Sequence, residues 1–115
     1  MYNRDINLYI NDILDSAEAI KDFVDNMDYE DFCNDRKTFS ATIREYIVIG
    51  EAISSLMEIL EKKFPEYPWR MIKDFRNFIV HEYFGIDKKI VWDLTSKELD
   101  ELIKNIQILK KDYDI

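Results

Sequence analysis

Four residues that could do chemistry stand close together: Arg76, Asn77, His81 and Tyr83, spaced R-N-x-x-x-H-x-Y. His81 is the only histidine of the chain. A guanidinium is always charged and forks onto phosphate oxygens. An imidazole takes or gives a proton near neutrality. An arginine to hold phosphate and a histidine to move a proton make a minimal set for cleaving RNA without a metal. In that reaction the ribose 2′-OH attacks the neighbouring phosphorus. The same types also have a plainer reading. His81 follows the apolar run Phe78, Ile79, Val80, and a half-buried histidine at a helix C-terminus is favoured there by the dipole. On residue types alone the plainer reading weighs more.

The elements that must position these residues all read as helices. Pro68 suits the first turn of a helix over residues 68–82. At 100° per residue, Met71, Ile72, Phe75, Phe78 and Ile79 share one side, and Lys73, Arg76, Asn77 and His81 the other. Asn77 and His81 are neighbours at i and i+4. Arg76 and His81 differ by about 140°, so they do not stack directly. Either the long arginine bends toward a shared cleft, or the two groups meet across a two-fold axis. Gly85 stops the helix near Tyr83.

Upstream, residues 4–27 carry a stripe, Ile6, Ile10, Ile13, Ala17, Ile20, Val24 and Met27, spaced by fours and threes. Its acidic residues lie mostly off the stripe and read as a solvated face. Residues 28–37 read as a connection with room for one helical turn. Residues 38–64 repeat the stripe pattern with Phe39, Ile43, Tyr46, Gly50, Ile53, Met57, Leu60 and Phe64. A mid-helix glycine costs about 1 kcal/mol relative to alanine, so Gly50 predicts close approach by a neighbour's backbone. Glu51 beside it is either plain surface or a partner for a group on the motif helix. Residues 86–94 read as a short helix or turn, Thr95 with Glu98 as a capping box, and the last helix as burying Leu99, Leu102, Ile103, Ile106 and Leu109. No strand pattern or repeat is visible. The sum is all-α: one domain over residues 1–115, an antiparallel bundle of four or five helices.

Composition narrows the function classes. The single cysteine, Cys33, excludes an internal disulfide and a cysteine-based zinc site, and fits a reducing, cytoplasmic setting. No signal-peptide pattern or bilayer-length apolar run is present. The net charge of −8 argues against general nucleic-acid binding. Yet residues 62–89 carry seven basic and four acidic groups, net +3, which leaves −11 for the rest. The positive region surrounds the Arg–His stretch.

Further motifs lie outside that stretch: Ile-Gly-Glu-Ala at 49–52, Pro-Glu-Tyr-Pro-Trp at 65–69, Phe-Arg-Asn-Phe-Ile-Val-His-Glu-Tyr-Phe-Gly-Ile-Asp at 75–87, then Val91-Trp92. In this order they resemble the HepT-like toxins of the HEPN domain superfamily over nearly the whole chain. The family's pattern of Arg, four residues, His, one residue, Tyr maps onto Arg76, His81 and Tyr83 without gaps. The resemblance implies an all-α bundle that dimerises, bringing two motifs together in a cleft. It implies a metal-independent endoribonuclease acting on mRNA or tRNA, with no cofactor, as the toxin of a type VII toxin–antitoxin pair. It implies a minimal nucleotidyltransferase antitoxin that transfers AMP groups to Tyr83. Arg76 and His81 would be catalytic, with Asn77 and Glu51 in support. A different class stays open beside it: a non-catalytic helical module that partners a nucleotidyltransferase or binds nucleotide.

Overall fold

Helix directions follow from which ends touch. The structure is a computed structural model that describes residues 2–81 and 85–114, with backbone alone at Val80 and His81. Its helices are α1 (Asn3–Phe23), α2 (Tyr29–Asn34), α3 (Arg36–Lys63), α4 (Trp69–His81), α5 (Lys88–Asp93) and α6 (Leu99–Tyr113). A single π-helical turn, Leu94–Glu98, joins α5 to α6 without a break, so the described residues build five rods. No strand occurs among the described residues. Asn7 near the start of α1 bonds the Tyr113 carbonyl, and Lys21 near its end pairs with Asp100 at 2.8 Å, so α1 and α6 are antiparallel. Lys63 meets Asp112, and Tyr46 meets Thr95, so α3 runs with α6 and against α1. Glu61 faces Arg70 and Glu51 faces Arg76, which sets α4 antiparallel to α3. This is the antiparallel bundle expected from the stripes.

The stripes meet in one core. α1 contributes Ile6, Ile10, Ile13, Ala17 and Ile20, and α3 contributes Ile43, Tyr46, Ile49, Ile53, Leu56 and Leu60. The α6 positions Leu99, Leu102, Ile103, Ile106 and Leu109 are all buried as expected. Each such aliphatic side chain contributes roughly 1.5–3 kcal/mol on burial, which makes the packing of faces, rather than helix propensity, the main source of order. No helix of the described residues is long and apolar enough to cross a membrane.

Helix starts are set by aspartates. The Asp31 amide donates to Asp28 Oδ1 at 2.8 Å, while the Asp28 amide donates to Asp31 Oδ2 at 3.2 Å. This reciprocal box starts α2 in the stretch expected to connect the long helices. Asp35 Oδ1 accepts the Thr38 amide at 3.1 Å and starts α3. That bond to a backbone N–H holds the Asp35 carboxyl below the usual range.

Two expectations are corrected. The first helix stops at Phe23 rather than near residue 27, because Asn26 takes a left-handed conformation (φ 63°) and the chain turns there. Thr95 and Glu98 do not form a capping box. Thr95 Oγ1 instead donates to the Val91 carbonyl at 2.9 Å and lies 2.7 Å from the Tyr46 hydroxyl, inside a helix that never breaks. Since the threonine proton points at Val91, the Tyr46 hydroxyl donates to Thr95.

Candidate functional site

The motif helix is pinned at its start by aromatics. Trp69 is buried, and its indole N–H donates to the Phe64 carbonyl at 3.1 Å, one of the acceptors left open where α3 ends. The Tyr67 and Trp69 rings lie 4.4 Å apart, and the Phe64 and Trp69 rings 5.9 Å. From there α4 runs unbroken to His81.

Its apolar side is wider than the core covers. Ile72, Phe75 and Ile79 are buried, and Phe75 meets the Tyr46 ring edge-on at 5.4 Å. Met71 and Phe78, placed on the same side by periodicity, remain 37% and 39% exposed. The helical wheel explains the split. Relative to Phe75, Ile72 and Ile79 sit on one shoulder and Met71 and Phe78 on the other. α3 takes the first shoulder. The second borders an open, mostly apolar groove of about 290 Å³ lined by Met71, Phe75, Ile90 and Leu94, with Asp93, Lys97 and Glu98 at its rim.

Arg76 follows the first shoulder onto α3. Its stem lies against Gly50, where a Cβ would come within 2.6 Å of Arg76 Cγ. This is the close approach that the mid-helix glycine predicted, made by a side-chain stem instead of a backbone. The guanidinium then meets two groups. One terminal nitrogen donates to Asn77 Oδ1 at 2.9 Å, and the other forms an ion pair with Glu51 Oε1. Arg76 Nε is buried with no hydrogen-bond partner among the described residues. The arginine side chain is 26% exposed and the Glu51 side chain 55%. Arg76, Asn77 and Glu51 are therefore one constellation, with Gly50 as its floor.

The rest of the predicted motif is placed only in part. His81 is the last residue of α4, one turn beyond Asn77, and its side chain lies outside the described residues. Because the helix is continuous, positions 76 and 81 keep their offset of about 140°. Tyr83 lies outside the described residues.

The chain becomes describable again at Gly85, and here the structure shows an anchor that residue types did not reveal. Asp87 Oδ1 accepts the Lys89 amide at 2.8 Å and starts α5. Lys88 Nζ donates to the Cys33 carbonyl at 2.9 Å and sits 5.4 Å from the Phe39 ring centre. Lys89 Nζ lies 4.9 Å from the Tyr29 ring centre, and Trp92 packs 5.3 Å from Phe32. In the sequence Lys88 counted only as positive charge. The available signal was the aromatic set Tyr29, Phe32 and Phe39 in a stretch otherwise polar and acidic.

Comparison with known proteins bears on this geometry. The family profile described as Ribonuclease HepT-like matches residues 13–109, which include Glu51, Arg76, Asn77, His81 and Tyr83. The chain is 36% identical over 99% of its length to a candidate RNase of Methanocaldococcus jannaschii, covering 94% of that protein. A second candidate RNase of that organism is 33% identical over 95% of this chain and all of its own length. A protein of Thermococcus cleftensis named as a candidate ribonuclease HepT is 33% identical over 90% of this chain and 94% of its own. No solved structure matches significantly. With a family profile spanning most of its length and relatives of this similarity end to end, the chain belongs to the HepT-like ribonuclease family.

Proposed function

We propose that this protein is an endoribonuclease that works without a metal, the toxin of a type VII toxin–antitoxin pair, built from a single domain. The observation that carries the reading is the Arg76 guanidinium, seated on α3 and still partly open to solvent, in a chain of a ribonuclease family. Arg76 holds the scissile phosphate and stabilises the charge that develops on it. His81 is general base for the 2′-OH or general acid for the leaving 5′-oxygen, worth about 10²–10⁴ in rate. Asn77 orients the guanidinium that it already contacts. The products are a 2′,3′-cyclic phosphate and a 5′-hydroxyl. A minimal nucleotidyltransferase acts as antitoxin by adenylylating Tyr83, which adds bulk and phosphate charge to the motif.

The active form is a homodimer. The Met71 and Phe78 shoulder of α4 and Ile90 of α5 are exposed apolar groups next to the groove, and the mixed-charge rim of Asp93, Lys97 and Glu98 can pair with its own copy across a two-fold axis. A second protomer also answers the angular offset of Arg76 and His81, because each histidine can then serve the other chain's arginine.

The test is RNA cleavage by purified protein in excess chelator, after intact mass establishes that Tyr83 is unmodified. Cleavage that leaves cyclic-phosphate ends and disappears in His81→Ala is the expected result. An unmodified wild-type protein that binds a nucleotidyltransferase but leaves total RNA intact would select the non-catalytic module instead.

A further inference from the structure

The group that should receive phosphate is already occupied. One terminal nitrogen of Arg76 is paired with Glu51 and the other with Asn77, while Nε is buried. A phosphodiester bound by a guanidinium takes two adjacent N–H groups. Burial closes the edge that includes Nε, so the open approach is through the terminal nitrogens, where Glu51 stands. A carboxylate offers the same planar pair of oxygens as a phosphate edge, and the two anions repel each other.

We propose that Glu51 is an internal competitor for the substrate's phosphate, a carboxylate that holds Arg76 in the RNA-free protein and must leave for the phosphodiester to bind. The inference rests on reading Arg76 as the phosphate-binding group. The geometry suits displacement. The Glu51 side chain is more than half exposed, so it swings into water without being stranded. The arginine stem is held separately, against Gly50, and stays in place when its partner changes. An exposed pair of this kind is weak enough to be broken by a ligand. Glu51 thereby keeps the guanidinium aligned and spares it from random anions, at a cost in RNA affinity.

Two measurements test this. The first is binding of an RNA oligomer made uncleavable by 2′-deoxy nucleotides. Glu51→Gln, which keeps the shape and removes the charge, should bind it about three- to fivefold more tightly, the worth of a partly exposed ion pair. Glu58→Gln, two turns along the same face of α3, controls for net charge and should leave affinity unchanged. The gain should vanish when Arg76→Ala is combined with Glu51→Gln. The second follows the Arg76 Nε–H resonance by NMR during titration with inorganic phosphate. Saturation should come at several-fold lower phosphate in Glu51→Gln than in wild type. Equal or weaker binding by Glu51→Gln in both measurements, or an equal gain in Glu58→Gln, overturns the proposal and leaves Glu51 as an orienting group. Failure of the ribonuclease reading looks different: phosphate competition at Arg76 persists while wild-type protein cuts no RNA.

Discussion

Gly50 and Arg76 fit together through an absent side chain: a Cβ at position 50 would stand 2.6 Å from Arg76 Cγ and 3.6 Å from the Ile72 carbonyl oxygen. The obstructing atoms belong to the base of the arginine, next to its backbone, so they do not swing aside. Gly50→Ala therefore pushes α4 away from α3. Overpacking of this kind costs roughly 1–3 kcal/mol, against which the better helix propensity of alanine returns about 1 kcal/mol. The expected net loss in urea unfolding is about 0–2 kcal/mol. Ribonuclease activity should fall further than stability explains, since the guanidinium moves with its stem. Alanine at 50 with unchanged activity would separate the glycine from the site.

Tyr46 and Thr95 tie the π turn to α3. The Tyr46 hydroxyl is held far above the usual phenol range by burial, so it stays a neutral donor. Tyr46→Phe and Thr95→Val should each cost about 1 kcal/mol, the typical net worth of a buried hydrogen bond. The double variant should lose less than the sum, because the second change removes a group already without its partner. Denaturant titration of the four proteins gives the coupling directly.

Lys88 joins the chain just after the motif segment to the α2 connection. Lys88→Met keeps the stem and removes the charge, which abolishes the bond to the Cys33 carbonyl and the contact with the Phe39 ring. A loss of about 1–2 kcal/mol is expected from the hydrogen bond and the cation–π contact together. Amide exchange in α5 should accelerate while that in α1 and α6 stays slow. Uniform acceleration throughout the bundle would mean that Lys88 supports the global fold and not this junction.

Asp35 makes the stability of the bundle acid-sensitive. Its carboxyl pKa is lowered in the folded state by the Thr38 amide. A lowered carboxylate contributes stability that is fully present above the unfolded pKa and is lost as pH falls through the folded one. Asp35→Asn still caps a helix but does not titrate. The variant should therefore lose less stability than wild type between neutral and acidic pH. Parallel melting curves for the two proteins across that range would rule Asp35 out as a source of the acid response.

Phe78 tests the proposed dimer. It is 39% exposed on the shoulder that α3 does not cover. Phe78→Glu should give a monomer by sedimentation with nearly unchanged helicity, and should abolish cleavage if the two motifs work together. A dimer that survives the charge would place the interface on another face.

Much of this protein was legible in its sequence because helices advertise themselves locally. The stripes on α1, α3 and α6 repeat every three or four residues, and most of their positions are buried. Val24, Phe39, Met57 and Phe64 are half-buried, while Ile49 and Leu56 join the core from beside the α3 stripe. Pro68, Gly50 and the i, i+4 relation of Asn77 to position 81 needed only helical geometry. Gly50 even announced a neighbour, since a glycine at that position is too costly without one. What the sequence left open were relations between elements far apart in the chain. Glu51 stood equally well as surface or as partner until the crossing of α3 and α4 brought it to Arg76. Met71 and Phe78 share a side with Ile72 and Ile79, and only the placement of α3 decides which shoulder is buried. Thr95 carries a capping signature, but the Tyr46 hydroxyl reaching across from α3 and the Val91 carbonyl claim its oxygen first. Lys88 gains its role from the Cys33 carbonyl and the Phe39 ring, more than forty positions upstream. Local periodicity determines the helices and their apolar sides. Only tertiary packing decides which polar group on one helix answers which on another, because those pairings depend on distances that no local pattern encodes.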